Sequence, residues 1–384
     1  MFTELHPKRL RGAPASRDVS QQLAAIRAIV RKTHAAMLSE DLAAPVAVLE
    51  SPVASAHLRP LFEDDAMAER LKWAQHLTGD TQKLVLQQLK QAQKLGRLRR
   101  VAAPPDLHSL DALERDFPHC AQVVALLRRR AALSRCSPRP TFRLPPLLLT
   151  GEPGSGKTAL ASRIAAAMGV RCATIDMASL QTAFTIVGLD IGYAQGRAGL
   201  VWDLLQHDCM SPVLILDELD KAHSSGDGDA TSGFLYGLLE PSTASRFVDA
   251  AIGLPIDASM VSWIATSNDT AGIHPAILSR LTVIEVNCPT PAQMPAVVAS
   301  IHRELVSNAD WGGWFEPLSA EVLAALTALS PREVRRAIED AYANAACAGR
   351  RVVVLADVSN NRSSGNQRRQ IGFIHSNKNS ETGT

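Results

Sequence analysis

The sequence predicts an α/β fold built around a parallel sheet, with helical regions before and after it. Between residues 106 and 288, five short apolar runs alternate with helical patterns, which is the arrangement that parallel strands and crossover helices produce. A glycine-rich loop directly follows the first run. The regions on either side show apolar residues at helical spacing instead. We therefore expect a five-stranded parallel sheet flanked by helices.

Composition limits the class of protein. The chain has 384 residues, 46% of them hydrophobic, which is enough for two or more domains. The formal net charge is only +2, so the overall charge does not indicate a nucleic-acid or acidic partner. The six cysteines lie far apart and form no CxxC pair. This spacing argues against a zinc site or a disulfide framework and favours free thiols in a reducing cytosol.

Changes in pattern divide the chain into four parts. Residues 1–105 are helical in pattern and end in a Pro-Pro linker, and residues 106–288 are the α/β domain. Residues 289–348 are wholly helical and form a lid, and residues 349–384 are a polar tail that we expect to be flexible. No apolar run approaches the roughly 18 residues of a membrane helix, and the start MFTELHPKRLRG has no signal-peptide character. We expect a cytoplasmic protein without a membrane partner.

The candidate strands are short apolar runs bounded by polar or turn residues. They are Leu147 to Thr150, Val170 to Ile175, Val213 to Leu216, Val261 to Thr266 and Leu281 to Val286. Ligands of parallel α/β sheets bind outside the carboxyl ends of the strands. The residues that follow these runs are therefore the candidates for a binding site.

Residues 151–158 read GEPGSGKT and stand between the first strand and an apolar helix. This is the pattern of a P-loop, whose glycines let backbone N–H groups close around phosphate oxygens. Lys157 would reach the β and γ phosphates, and the Thr158 hydroxyl would ligate Mg²⁺. A glycine-rich turn without a ligand has no use for this pair. We expect ATP and Mg²⁺ to bind at Gly151, Gly154, Ser155, Gly156, Lys157 and Thr158.

The third strand, Val213 to Leu216, ends in the acidic pair Asp217 and Glu218. A buried parallel strand would deliver Asp217 to the metal and the nucleotide, and Glu218 to a position where it polarises the attacking water. An acidic pair at the end of a buried strand is costly to keep without a purpose. The alternative is a strand end with two solvated carboxylates. The pair predicts an ATPase.

Two further elements extend the pattern. The apolar run Trp263-Ile-Ala-Thr-Ser-Asn268 ends in a polar amide, and Ser279-Arg280-Leu281 precedes the last strand. Together with the acidic pair they resemble the AAA+ ATPases. The resemblance implies that Asn268 is sensor 1, between the acidic pair and the γ phosphate, and that Arg280 is an arginine finger in the site of the adjacent subunit. The alternatives are an Asn in a turn and a surface arginine.

Several motifs are similar to the ATPase module of Lon-type proteases: LDELDK at 216–221, GLLEP at 237–241, LPIDAS at 254–259 and PAILSR at 275–280. The resemblance implies that Tyr193 is the tyrosine of an aromatic pore loop, although Ala194 stands where a larger aliphatic residue is usual. It also implies that Arg332, or second Arg335, is the sensor 2 arginine that reaches the nucleotide from the lid. The alternatives are a locally packed turn tyrosine and a solvated helix face.

The resemblance implies a homo-oligomeric ring, with six subunits as the expectation, that uses ATP hydrolysis to remodel a protein client or adaptor. Only about 36 residues follow the lid, so we expect no peptidase domain in this chain. One alternative is an ATPase acting on nucleic acid, although aromatic residues are only 4% of the chain; another is an ATP-dependent assembly switch. The basic residues before the linker could bind an acidic partner or form a solvated helix face. They are Lys83, Lys90, Lys94, Arg97, Arg99 and Arg100.

Overall fold

The computed structural model describes residues 57–180, 182–193, 196–222 and 230–359. The strands, numbered in chain order, are β1 (Leu58–Pro60), β2 (Leu98–Arg100), β3 (Leu147–Thr150), β4 (Cys172–Asp176), β5 (Val213–Asp217), β6 (Phe247–Val248), β7 (Pro255–Ile256), β8 (Ser262–Ser267) and β9 (Thr282–Glu285). The longer helices are α1 (Asp64–Ala74), α2 (Gly79–Lys94), α3 (Leu107–Asp116), α4 (Ala121–Arg135), α5 (Lys157–Ala167), α8 (Ala230–Leu239), α11 (Met294–Asn308) and α13 (Pro331–Cys347). The shorter ones are α6 (Phe184–Val187), α7 (Leu200–Leu205), α9 (Pro241–Ala244), α10 (Pro275–Leu278), α12 (Ala320–Leu326) and α14 (Leu355–Ser359).

The centre of the structure is a five-stranded sheet with the order β4-β5-β8-β3-β9. Every pair of neighbouring strands in it is parallel. The α/β prediction is confirmed, and each predicted strand agrees with an observed one to within two residues at either end. The interior strands are buried because both faces of a parallel sheet are covered. Strands β3 and β5 are apolar up to their last residue, whereas β8 also buries Ser262, Thr266 and Ser267.

The side chains of successive residues in β3 pack into two different hydrophobic cores. Leu148 packs into a core that also contains Trp202 and Trp263, whereas Leu147 and Leu149 belong to a core formed with α3, α4 and α5. This alternation follows from the pleat of a strand, which points neighbouring side chains to opposite faces. The sheet is therefore buried on both sides, and only its edges and strand ends meet solvent.

Residues 57–102 pack onto the sheet and form no separate core. Leu61, Val85 and Leu89 lie in the same hydrophobic core as Trp202 and Trp263. The region is also not wholly helical, since β1 and β2 pair in antiparallel fashion. The boundary predicted at about residue 105 therefore does not coincide with a break in the core. The first 56 residues of that predicted domain lie outside the described part of the chain.

The lid has a core of its own, in which Val298 of α11 packs with Val334 and Ile338 of α13. Helix α13 begins at a capping box made by Ser330 and Glu333, a device that pairs two otherwise unbonded N–H groups. The lid continues beyond the predicted boundary at residue 348, because α14 adds Val358 to this core. The predicted tail from residue 360 onward lies outside the described residues.

A membrane-spanning helix must be both long and apolar. None of the helices within residues 57–180, 182–193, 196–222 and 230–359 meets both requirements for crossing a bilayer.

The burial of the sheet predicts that truncating two paired residues on neighbouring strands lowers the free energy of unfolding by different amounts. Leu148 and Val283 are register partners on β3 and β9, but Leu148 is 0% and Val283 44% exposed. Leu148→Ala should lower the free energy of unfolding by about 2 to 5 kcal/mol, and the control Val283→Ala by about 0.5 kcal/mol or less. Guanidinium denaturation measures both, and equal losses would contradict this burial pattern.

Candidate nucleotide site

The glycine loop connects the end of β3 to the start of α5. Gly154 and Gly156 have φ angles of +86° and +89°, which residues with a Cβ rarely adopt. At Gly151 a side chain would collide with the backbone carbonyl of Val286, the residue that follows the neighbouring strand β9. The loop needs glycine at these three positions for conformational reasons. It leads into the N-terminus of α5, where backbone N–H groups without helical partners favour anions.

Lys157 is the first residue of α5 and is 8% exposed. Its Nζ donates hydrogen bonds to the carbonyl oxygens of Gly151 at 2.8 Å and Glu152 at 2.9 Å, and it lies 3.4 Å from Oδ1 of Asn268. Burial lowers the pKa of Lys157, while the neighbouring carboxylates, Asp220 foremost, oppose this change. The ammonium group is thus held at the loop with few degrees of freedom, which suits a phosphate ligand.

Asp217 at the end of β5 joins the loop helix to β8. Its Oδ1 accepts hydrogen bonds from Oγ1 of Thr158 at 2.7 Å and from Oγ1 of Thr266 at 2.5 Å. The backbone N–H of Glu218 donates to the same Thr266 hydroxyl at 3.1 Å. Thr266 was not identified from the sequence, where its only signal is a hydroxyl residue two positions before Asn268. A carboxylate and a hydroxyl are hard oxygen donors, so Thr158 and Asp217 fit Mg²⁺.

Glu218 has a φ angle of +55° and is the only non-glycine residue with positive φ in the described part of the chain. A left-handed conformation costs about 1 to 2 kcal/mol for a residue with a side chain, and such residues concentrate at functional sites. Glu218 lines a cavity of about 320 Å³ together with Lys157, Thr158, Asp217 and Asn268. The structure therefore brings these five predicted residues together, and their individual roles remain predictions.

The lid supplies another wall of the cavity. Arg332 lies on this wall at the start of α13, and a Cβ added to Gly154 would lie 3.8 Å from the Arg332 Cβ. Arg335 also lines the cavity, but it donates to Glu304 of α11 at 2.8 Å. Of the two predicted sensor 2 candidates, Arg332 is thus nearer the phosphate loop, while Arg335 forms an ion pair inside the lid.

His119 was not identified from the sequence, yet it contacts the loop. Its Nε2 lies 3.0 Å from the carbonyl oxygen of Ser155, so this nitrogen carries the donated proton. Burial lowers the pKa of His119, which leaves the ring neutral at pH 7. The Ser155 Oγ is buried without a hydrogen-bond partner among the described residues. An unpaired hydroxyl in this loop is consistent with a polar ligand there.

Besides Gly151, whose carbonyl oxygen accepts from Lys157 within the loop, two predicted site residues do not line the cavity, and Arg280 is the first. It donates to the carbonyl oxygen of Ala276 at 2.7 Å and lies 5.7 Å from the ring centre of Tyr236. Its nearest carboxylate is Glu240, at 3.9 Å. The structure thus does not bring Arg280 to the nucleotide cavity of its own chain.

Tyr193, the second, is 66% exposed and lies on the loop between α6 and α7. The base of this loop is narrow, because Leu189 and Arg197 exchange two backbone hydrogen bonds of 2.9 and 3.1 Å. The Gly199 N–H donates to the buried Asp249 carboxylate at 2.8 Å. The Tyr193 side chain is therefore not buried, and its role in a pore loop stays a prediction.

The parallel sheet and the glycine loop after its strand β3 are the features of a P-loop nucleotide-binding fold, and comparisons with known proteins agree. Residues 147–288 match the family described as "ATPase family associated with various cellular activities (AAA)". The chain is 36% identical over 143 residues to the peroxisomal Lon protease homolog 2 of Caenorhabditis briggsae, and 30% identical over 224 residues to the Lon protease of Fervidobacterium nodosum. These matches cover 37% and 55% of this chain, but only 18% and 28% of the relatives.

Among solved structures, the extended S. cerevisiae Hsp104:casein complex has a TM-score of 0.51 at 19% identity, covering 67% of this chain and 49% of that one. At this identity the likeness concerns the fold. The predicted resemblance is confirmed: the chain carries an AAA+ ATPase module similar to that of Lon proteases. The matched region spans less than a third of the length of these two Lon relatives.

The position of Lys157 predicts its contribution to binding. Lys157→Ala should lower ATP affinity by at least about 100-fold, since hydrogen bonds to charged groups contribute about 1.5 to 3 kcal/mol each and the lysine serves two phosphates. Isothermal titration calorimetry measures this loss. Glu218→Gln is the control, because it keeps the size of the side chain and makes no predicted phosphate contact. Unchanged affinity in Lys157→Ala would overturn the P-loop assignment.

Proposed function

We propose that this chain is an ATP-hydrolysing AAA+ remodelling enzyme that uses the energy of ATP to unfold or remodel a protein partner. The observation that carries the hydrolytic part is the conformation of Glu218, whose left-handed backbone places a carboxylate in the cavity beside Asp217. Residues held in such strained conformations concentrate at functional sites, and this one directly follows a buried strand beside the glycine loop. Its use as a general base explains why it is there.

In the proposed reaction each residue has a separate role, which follows from its position in the cavity. The Glu218 carboxylate takes a proton from the attacking water, and Lys157 places its charge at the β and γ phosphates. Thr158 and Asp217 would hold Mg²⁺, which would neutralise charge on the phosphate oxygens. Oδ1 of Asn268 faces the Lys157 ammonium at 3.4 Å, so its amide N–H₂ remains as a donor toward the γ phosphate.

The exposed Tyr193 supports a protein client. An aromatic side chain in solvent at the tip of a narrow loop can grip an extended chain through apolar contacts. Two relatives with similar ATPase modules are named proteases, and proteases act on polypeptides. These two observations favour a polypeptide as the substrate of the motion that ATP hydrolysis drives.

The basic residues before the linker give little support to the nucleic-acid alternative. Arg99 is 1% exposed and donates to the Leu95 carbonyl at the end of α2, where a cation stabilises the helix terminus. Arg97 lies within 4 Å of two carboxylates, and Arg100 pairs with Asp208. Lys83 pairs with Asp80. Most of the predicted stretch is thus paired or buried, and it does not form a continuous binding surface.

The position of Arg280 outside its own cavity supports a shared active site in a homo-oligomeric ring, for which six subunits is our proposal. Lys157→Ala and Arg280→Ala chains should each be nearly inactive, but their mixture should recover part of the phosphate release. The recovery comes from interfaces that combine an intact loop with an intact arginine. Mixed oligomers, verified by native mass spectrometry, that recover no activity at any ratio would contradict the shared site.

The loop geometry predicts that Tyr193 acts on the client and not on ATP. Tyr193→Ala should leave basal ATP hydrolysis within a few-fold of the parent and the melting temperature within about 2 °C, because the side chain is exposed. Binding of fluorescently labelled casein, a loosely folded test protein, should fail. Tyr193→Phe keeps the ring and should retain both activities. A parallel fall in melting temperature and ATPase rate in Tyr193→Ala would remove the protein-remodelling proposal.

A further inference from the structure

The carboxylate of Asp116, the last residue of α3, bridges two parts of the molecule. Its Oδ2 accepts a hydrogen bond from Nη2 of Arg163 on α5, and its Oδ1 accepts one from Nη1 of Arg303 on α11, both at 2.7 Å. The Asp116 side chain is 7% exposed, whereas those of Arg163 and Arg303 are 39% and 61% exposed. One buried anion thus holds two cations, one from the P-loop helix and one from the first lid helix.

This arrangement differs from an ordinary surface ion pair. Burying a carboxylate is costly unless charged hydrogen bonds compensate for the lost water, and here each oxygen has its own arginine. Because the arginines remain partly in solvent, either can be removed without leaving a buried cation. The bridge can therefore be broken on the lid side alone while the contact to α5 stays intact.

The residues after Asp116 add contacts to the same parts. Nε2 of Gln293, just before the lid helix α11, donates to the carbonyl oxygen of Pro118 at 3.2 Å, and His119 contacts the Ser155 carbonyl in the glycine loop. Asp116, Phe117 and His119 line the cavity that also contains Lys157 and Arg332. A four-residue segment thus connects the phosphate loop, the loop helix and the lid.

We propose that Asp116 is a positioning residue of the ATPase, which sets the orientation of the lid relative to the phosphate loop through Arg163 and Arg303. Arg332 reaches the cavity from the lid, so its distance from the bound phosphates depends on that orientation. The inference rests on the proposed ATPase function of the same cavity. It adds a residue that acts through others and touches no reacting atom.

The test measures lid orientation directly. Cys136 lies after α4 and Cys347 ends the lid helix α13, and both are exposed. After replacement of the other exposed cysteines, Cys172 and Cys288, by serine, spin labels at Cys136 and Cys347 report the distance between the α/β part and the lid. Electron–electron double resonance is recorded with Mg²⁺ and a non-hydrolysable ATP analogue. The parent should give one narrow distance distribution, and Arg303→Ala a broad or displaced one.

Affinity for the same analogue is measured by calorimetry on the same variants. Arg303→Ala and Asp116→Asn should bind it at least about 5-fold more weakly, the lower end of usual coupling between two sites. Arg303→Ala should keep a melting temperature close to the parent, because Asp116 retains its hydrogen bond from Arg163. Arg303→Lys should recover part of both effects because it restores the cation. The matched control is Arg128→Ala, which removes two ion pairs between α3 and α4 without touching the lid, and it should leave the distance distribution narrow.

A narrow, unshifted distribution and unchanged affinity in Arg303→Ala would overturn the proposal, and so would equal broadening in Arg128→Ala. If Asp116→Asn fails to fold, Arg303→Ala still tests the proposal, because the Arg303 side chain is largely in solvent and its removal should not prevent folding. The distance measurement and the calorimetry both depend on binding of the analogue, and neither requires ATP hydrolysis. If the parent binds the analogue but releases no phosphate, the proposed ATPase function fails while the bridge is still tested.

Discussion

The hydrogen bonds received by Asp217 are the interaction on which the rest of the site depends. One carboxylate oxygen accepts from Thr158 on α5 and from Thr266 on β8, and this joins α5, β5 and β8 at the carboxyl ends of the strands. The parallel order makes the junction possible, because β5, β8 and β3 are neighbours and end on the same side. Since Thr266 also accepts from the Glu218 N–H, a single hydroxyl contacts both Asp217 and Glu218, the residues proposed to bind the metal and to activate water.

The elements that could be predicted from the sequence are those whose signal is local. The four apolar residues before Asp217 identify β5, because burial on both faces excludes polar side chains along the whole run. The glycine loop is equally local, since its conformation and its ligand are both encoded within eight residues. Asp116 has no local signal. Its partners lie 47 and 187 residues further along the chain, and in sequence it resembles an ordinary charged residue near a helix end.

For the regions that flank the α/β domain, the packing partner of each helix also could not be predicted from local sequence. Helical periodicity before residue 105 identifies which face of a helix is apolar, but it does not say what that face meets. The partner is the sheet itself, through the core that Leu89 shares with Trp263. Strands β1 and β2 contain three residues each, which is too short for a period of two to be recognised. Their pairing depends on the surrounding core.

The loop that carries Tyr193 is anchored to elements far from it in sequence. Asp249, which accepts the Gly199 N–H, also accepts from the N–H groups of Ala251 and Ile252 in the β6–β7 hairpin. The Ile252 carbonyl in turn accepts from Arg70 of α1 at 2.5 Å. Moving the base of the loop must therefore either carry the hairpin and α1 with it or break hydrogen bonds to a buried carboxylate, which is costly. The contacts favour motion of the loop, the hairpin and α1 as one unit.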